Sequence, residues 1–443
     1  MYFRTVFHGL LILFLSCSVQ VTAQTTSEII QSIQQLMLEQ YIFLDKAEEV
    51  NAHLEQLQQD GYFDAYKAPE DLAGALTREM RKITRDYHLG VQAPQLPAAE
   101  TPVEQPDPLR GLTRYNPSMI NGYQYFEDNV GYFDMRFFGG GEVNLGLLDN
   151  SLEKLSKADA LIIDLRYSMG GSPSTVQYLC SYFFDEDMLL TSIYSRYNDH
   201  TREYRTVEVN GRKRPNVPLF ILTSDRTFSA AEGLPYALQS QGRATIVGEV
   251  TRGGAHPTRS HSLPGGFRVR IPFARSLNPI TQSNWEGVGV IPDVQVPEEE
   301  ALEKAKELAA AAAEKYRENL FAPLLTALDA VHGKSGSSEA ERVYPEVRKM
   351  LNNGILSELD INRLGYNYLL GSEREAALLL FEANIRLHPE SANAFDSYAE
   401  ALAGSGERDK ALENYKKAVA LAKAQNLDNL AVFEQNLAAF ERK

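Results

Sequence analysis

Apolar positions in the first hundred residues recur with a helical period. Ile29, Ile30, Ile33, Leu36, Met37 and Tyr41 share one helix face, and a second helix is predicted over about Lys46–Gln59. A third runs over about Pro69–Thr84, with Leu72, Leu76, Met80 and Ile83 in one stripe. Prolines at 94, 97, 102, 106 and 108 mark residues 91–108 as a linker. From about residue 112 the period changes. Val130–Arg136 reads as a strand, Ala160–Arg166 and Pro218–Thr223 as apolar strands buried on both faces, and Ala244–Gly248 as a shorter one. Helices are predicted over about Leu147–Ser156, after Pro173, and up to Gln241. Strands alternating with helices imply an α/β layer structure.

Residues 298–330 are rich in Glu, Ala and Lys and read as a helix, followed by a Gly/Ser-rich break over 332–339. The tail then repeats at a spacing of 34. Leu364, Gly365, Tyr368, Ala377 and Phe381 are answered by Tyr398, Ala399, Leu402, Ala411 and Tyr415. That alternation of small and large residues is the tetratricopeptide pattern, with about 428–442 as a capping helix. A generic pair of helical hairpins is the other reading.

The net charge of −15 argues against nucleic acid and anionic membranes as partners. Arg4, the short apolar run Gly9–Leu15 and the small residues Val21-Thr22-Ala23 form a secretory signal, with Gln24 as first mature residue. Leu15-Ser16-Cys17 offers the alternative of lipoprotein processing and anchoring through Cys17. No other apolar run approaches the roughly 20 residues of a transmembrane helix. The expectation is an exported protein, periplasmic or secreted. Cys17 and Cys180 are the only cysteines, so no disulfide framework is expected, and Cys180 reads as a buried small hydrophobe. The expected organisation is a signal peptide over 1–23, a helical subdomain and linker over 24–108, and an α/β domain over 109–297. A helical connector over 298–357 and the repeats with their cap over 358–443 complete it.

Four segments carry candidate chemistry. Thr227-Phe228-Ser229-Ala230-Ala231-Glu232 follows a buried strand and opens a helix, where free N–H groups face a developing oxyanion. Its plain reading is a capping box, Ser229 with Glu232. Asp164-Leu165-Arg166-Tyr167-Ser168-Met169-Gly170-Gly171 ends a strand in a glycine pair that lets backbone N–H groups approach a ligand. A phosphate loop competes there, but no Gly-Lys-Ser/Thr follows. His88 ends the third helix, where a lone histidine is ordinarily structural. Trp285-Glu286-Gly287-Val288-Gly289 holds the sole tryptophan beside a carboxylate.

In this order the four segments resemble the C-terminal processing (tail-specific) peptidase superfamily, in particular its branch containing tricorn-type proteases and interphotoreceptor retinoid-binding-protein repeats. Asp164–Gly171 is similar to that family's Asp-Leu-Arg-x-Asn-x-Gly-Gly. The resemblance spans about residues 26–297. It implies a crotonase/ClpP-like spiral α/β domain with an N-terminal helical subdomain. It also implies Ser229 as nucleophile, His88 as general base, Glu286 orienting or polarising that base directly or through a relay, and an oxyanion hole from the N–H groups of Gly170 or Gly171 and Ala230.

Three departures matter. The serine–lysine branch places its lysine 25 residues after the nucleophile, where this chain has Gly254, so His88 must supply the base. Tyr87 stands where the Ser/His/Glu branch can place a relay serine. The residues between His88 and the strand at 130 are too few for a PDZ-like domain. His256, in the turn replacing the lysine motif, is a rival base. The eight histidines show no metal-ligand spacing, and no cofactor signature is present.

The expected function is a serine-type endopeptidase acting on exported polypeptides through an acyl-enzyme. The repeats would engage a protein partner. A non-catalytic member of the same fold binding an apolar ligand or a protein is the alternative, and a related acyl hydrolase a third reading.

Overall fold

The computed structural model describes residues 23–94, 119–331 and 337–442. The leader with Cys17, most of the proline-rich linker and the Gly/Ser break lie outside the described residues. The chain divides into two compact units, Met1–Ala313 and Glu314–Lys443.

The first unit opens with three helices, α1 (Ala23–Gln40), α2 (Leu44–Gln59) and α3 (Pro69–Thr84). Pro69 stands in the first turn of α3, where its missing N–H costs nothing, and Arg85 at φ 54° closes the helix in the left-handed region. The buried stripes of the three helices make one core with Leu89, Val91, Phe267, Val269 and Ile271. Those partners lie in or directly before β1 (Gly90–Gln92) and a later strand. Residues 91–92, expected in the linker, are therefore part of a strand.

The α/β part follows in chain order: β2 (Ile120–Tyr125), β3 (Val130–Met135), α4 (Glu142–Lys154), β4 (Ala160–Asp164), α5 (Pro173–Ser181), β5 (Leu189–Ser195), β6 (His200–Arg205), β7 (Leu219–Thr223) and α6 (Ala230–Ser240). Then come β8 (Thr245–Gly248), β9 (Thr258–Ser262), β10 (Arg268–Pro272), β11 (Ala274–Leu277), β12 (Val294–Gln295) and α7 (Glu298–Asp329). α4 begins at Glu142, earlier than the apolar pattern predicts. Six strands form the main sheet in the order β12-β8-β7-β4-β3-β2, parallel except for β2.

Alternate residues of the central strands serve opposite faces. Leu161, Ile163, Leu219 and Ile221 pack towards α4, α5 and α6. Ala160, Ile162, Phe220 and Leu222 pack against Ala301, Ala305, Ala309 and Ala313 of α7. The Ala stripe at four-residue spacing ties the start of this helix to the sheet, so the first unit reaches past residue 297. This is a mixed α/β fold. Two small antiparallel sheets, β1-β10-β9 and β11-β5-β6, complete the unit.

The second unit is all helical among its described residues. α8 (Ser337–Asn352), α9 (Glu358–Leu370), α10 (Arg374–Leu387), α11 (Ala392–Gly404), α12 (Arg408–Ala424) and α13 (Leu430–Glu441) follow in turn. Gly365 faces the Phe381 ring so closely that a β-carbon would stand 2.7 Å from it. Cys180 is buried in α5, and burial pushes its thiol up.

Candidate active site

The main sheet sets two loops side by side. In a parallel sheet the strand ends carrying the outgoing loops lie on one edge, and the β4/β7 register pairs Asp164 with Leu222. The loop after β4 leads to Gly170 and Gly171, and the loop after β7 leads to Ser229. They are stitched together: Thr227 Oγ1 donates to Leu165 O (2.9 Å), Ser224 Oγ to Arg166 O (2.5 Å) and Phe228 N to Ser168 O (3.1 Å). Asp164 is itself held by Arg166 (2.7 Å) and the Tyr132 hydroxyl (2.8 Å).

Ser229 sits at the N-cap of α6 with φ 60° and ψ −124°, a region L-residues seldom occupy. Such a conformation costs of order 1–3 kcal/mol and persists only where its surroundings impose it. Glu232 imposes it. Fully buried, its carboxylate accepts from Ser229 N (2.7 Å), Thr251 Oγ1 (2.6 Å), Gly253 N (2.6 Å) and Gly254 N (2.8 Å). Burial pushes this carboxyl up to about 7, against the pull of those donors. The expected capping partner therefore also ties the serine to the 251–254 turn. Glu232 N donates to the Ser229 carbonyl oxygen (2.8 Å), and Ser229 Oγ faces His88.

His88 Nε2 lies 3.2 Å from Ser229 Oγ. The left-handed Arg85 turns the chain out of α3, and Asp86 Oδ1 accepts from His88 N (2.9 Å) in an Asx-turn. The His88 ring stacks on Phe228 with centroids 4.5 Å apart. Burial lowers its pKa to about 4, with Arg270, His256 and Arg81 acting in the same direction and Asp86 against. His88 is thus neutral at neutral pH, as a general base must be.

The glycine pair adjoins the serine. Gly170 has φ 86°, and a β-carbon there would stand 2.6 Å from Phe228 O and 2.8 Å from Ala230 N. Among the described residues the N–H groups of Gly170, Gly171 and Ala230 have no acceptor. Fixed, unengaged donors beside a serine hydroxyl are what an oxyanion hole would require.

Of the two placements expected for Glu286, direct contact with His88 is absent among the described residues: its Oε2 accepts from Ala255 N (2.5 Å) and lies 3.4 Å from His256 Nδ1. Burial and then the Asp86 charge push its carboxyl up to about 7. His88 Nδ1 is buried with no hydrogen-bond partner among the described residues. His256 makes no hydrogen bond to Ser229 among the described residues; its Nδ1 donates to Asp86 Oδ2 (2.8 Å). Tyr87 is half exposed at the cleft, and its hydroxyl bonds to neither His88 nor Glu286.

Asp86 is the residue that sequence reasoning missed. Buried, it holds the His88 backbone with one oxygen and the His256 ring with the other. An aspartate two residues before the histidine was its only sequence signal. Asp86, His256 and Glu286 bring three ligand-type atoms within 4.8 Å of one another, but Asp86 Oδ2 and His256 Nδ1 satisfy each other directly. Ser229, His88 and Gly171 line a cleft of about 630 Å³. One wall is apolar, with Val176, Leu190, Ile193 and Trp285; Phe137 and Met169 are more than half exposed there.

The chain is similar to known peptidases. Residues 129–296 match peptidase family S41, and residues 16–127 match the N-terminal domain of peptidase S41 in eukaryotic IRBP. A carboxyl-terminal-processing protease of a Picosynechococcus species is 27% identical over 174 residues, 39% of this chain and 40% of the relative. Its counterpart in a Synechocystis species is 31% identical over 183 residues, 41% of this chain and 40% of the relative. The chain thus spans about two fifths of the length of these curated relatives. The solved structure of a photosystem II D1 C-terminal processing protease aligns with a TM-score of 0.34 at 26% identity, over 42% of this chain and 47% of that one. With two adjoining matches that cover the helical subdomain and the sheet, the chain belongs to peptidase family S41.

Proposed function

We propose that this protein is a serine-type endopeptidase of exported polypeptides. The Ser229–His88 contact at 3.2 Å, built on a strained backbone beside unengaged amide donors, carries that reading. In the mechanism, Ser229 Oγ attacks the scissile carbonyl carbon while His88 Nε2 takes its proton. The oxyanion is received by the N–H groups of Gly170 or Gly171 and Ala230. Collapse breaks the C–N bond, and His88 returns the proton to the leaving amine. Water then repeats the sequence on the acyl-enzyme.

Asp86 positions His88 through its backbone amide and links it to His256 and Glu286. Glu286 therefore acts on the base at one remove. The export signal supports a periplasmic or secreted site of action. Among the described residues no helix is long and apolar enough to cross a membrane. The 34-residue register of α9/α10 and α11/α12 supports two tetratricopeptide units, with α13 as cap and a protein as partner.

The apolar cleft wall and the unpartnered Nδ1 of His88 favour a second reading, a non-catalytic protein holding an apolar ligand. Reaction of the mature chain with a fluorophosphonate probe separates the two. Labelling lost in both Ser229→Ala and His88→Ala is expected. A well-folded protein that resists labelling would transfer the assignment to the binding reading.

A further inference from the structure

Tyr167 lies in the loop that leads to Gly170 and Gly171, and Arg226 in the loop that leads to Ser229. The Arg226 guanidinium stands 4.3 Å from the centroid of the Tyr167 ring. The Arg136 guanidinium, directly after β3, stands 4.5 Å from the same centroid. A guanidinium and the face of an aromatic ring attract each other, so the ring joins the two loops. None of these three residues lines the cleft.

The first residue of α7 closes this group. Both carboxylate oxygens of Glu298 accept from Arg226, and its carbonyl oxygen accepts from Arg166 Nη1 (2.9 Å). The same carboxylate engages the Tyr167 hydroxyl, which pushes that phenol up. Glu298 thus touches the glycine loop through Arg166 and Tyr167, and the serine loop through Arg226. Asp225 and Glu249 bring one carboxylate oxygen each within 4.8 Å of Glu298. Gathered anions repel one another, and Arg226 is the ion-pair partner of Glu298. Burial works against ionisation of Glu298, yet Tyr167 and Arg226 hold its carboxyl below the usual range. Three residues beyond Arg226, Ser229 keeps a backbone conformation that persists only where its surroundings impose it. Residue 298 lies beyond the segment 129–296 that matches peptidase family S41, so that match does not account for the contact.

We propose that Glu298 is a positioning residue: through Arg166, Tyr167 and Arg226 it clamps the glycine loop to the serine loop and so holds the amide donors of Gly170 and Gly171 beside Ser229. Its effect on turnover rests on the peptidase reading; its effect on the order of the two loops does not.

The test uses the full mature chain with Glu298→Gln, Tyr167→Ala or Tyr167→Phe, and Glu299→Gln as a control that removes a neighbouring charge of α7. Two quantities are measured: amide hydrogen exchange over residues 165–172 and 224–230, and the kinetics of fluorophosphonate labelling. Glu298→Gln and Tyr167→Ala should quicken exchange in both loops. They should lower the limiting rate of labelling by about tenfold or more, with the half-saturating probe concentration and the melting temperature little changed. Tyr167→Phe, which keeps the ring beside the guanidinium groups, should lose less than Tyr167→Ala, and Glu299→Gln should match the unsubstituted protein. Unchanged exchange, exchange quickened in one loop only, or equal losses from Glu299→Gln would overturn the clamp. Quicker exchange at an unchanged labelling rate would overturn the positioning role. An unsubstituted protein that is never labelled removes the peptidase reading instead, and exchange in the two loops then decides the clamp alone.

Discussion

Gly254 lies against the His88 ring so closely that a β-carbon there would stand 2.6 Å from Cε1. It would also stand 2.3 Å from Phe228 Cε2. At the position where the resemblance would place the lysine of the serine–lysine branch this chain has Gly254, and the His88 ring packs against it. Gly254→Ala should therefore push His88 off Ser229. Displacement of about 1 Å at a reacting group costs about 10²-fold, so kcat/KM should fall by that order with the melting temperature little changed. Full activity would mean that His88 is not the base.

Asp86 is expected to affect both stability and rate. Asp86→Ala strips a partner from His88 N and from His256 Nδ1, and a buried unsatisfied group costs about 1–3 kcal/mol. Thermal melting and kcat should both fall. Asp86→Asn keeps one oxygen to accept from His88 N and should recover part of the loss. Equal damage from the two substitutions would argue that the ring contact to His256, not the turn, is what matters.

The pH profile follows from His88. Its pKa is lowered to about 4, so the base stays unprotonated well below the ordinary histidine range. The acid limb of kcat/KM should fall near pH 4, and a limb above pH 6 would point to another group. Stability carries the same sign. The unfolded chain takes up this proton near pH 6.5 and the folded chain only near 4, so the His88 contribution is lost as pH drops through that window. Urea midpoints measured from pH 7 down to 4 would check it, against a His88→Ala reference.

Gly170→Ala tests the oxyanion assignment. Its φ of 86° and the 2.6 Å approach to Phe228 O leave no place for a methyl group. Loss of one such donor costs about 10²–10³ in kcat. KM for a small peptide should change much less. A loss confined to KM would make the glycine pair a binding element only.

Glu232→Gln should loosen the serine. Four donors converge on that carboxylate, and a glutamine offers one oxygen and an amide NH₂ that opposes them. A cost of about 1–3 kcal/mol and slower fluorophosphonate labelling are expected, the latter measured at a temperature where the variant is fully folded.

Much of this layout was legible before any coordinates. The run Ala160–Asp164 and the stripe of Leu72, Leu76 and Met80 announce a central strand and a packed helix because their burial is strongly patterned. β6 and β9 went unseen because most of their residues are exposed, so no alternation marks them. The helical start of 298–313 was visible, but its attachment to the sheet was not, since a stripe of alanines does not say what covers it. Ser229 and the glycine pair stood out through their position after buried strands. The placement of Glu286 on His256 depends on side chains meeting across 30 residues of chain, and that of Asp86 between two histidines 168 residues apart on a meeting across 170. Local pattern carries no signal for such meetings.

Two residues beyond His88 begins a ladder of only three rungs: Gly90 with Arg270, Val91 with Val269, and Gln92 with Arg268. During synthesis His88 emerges first, Ser229 141 residues later, and the strand that pairs beside His88 later still. No shorter nascent chain holds both groups in place. The Ser229–His88 pair is therefore buttressed on both sides only once the last rung has closed.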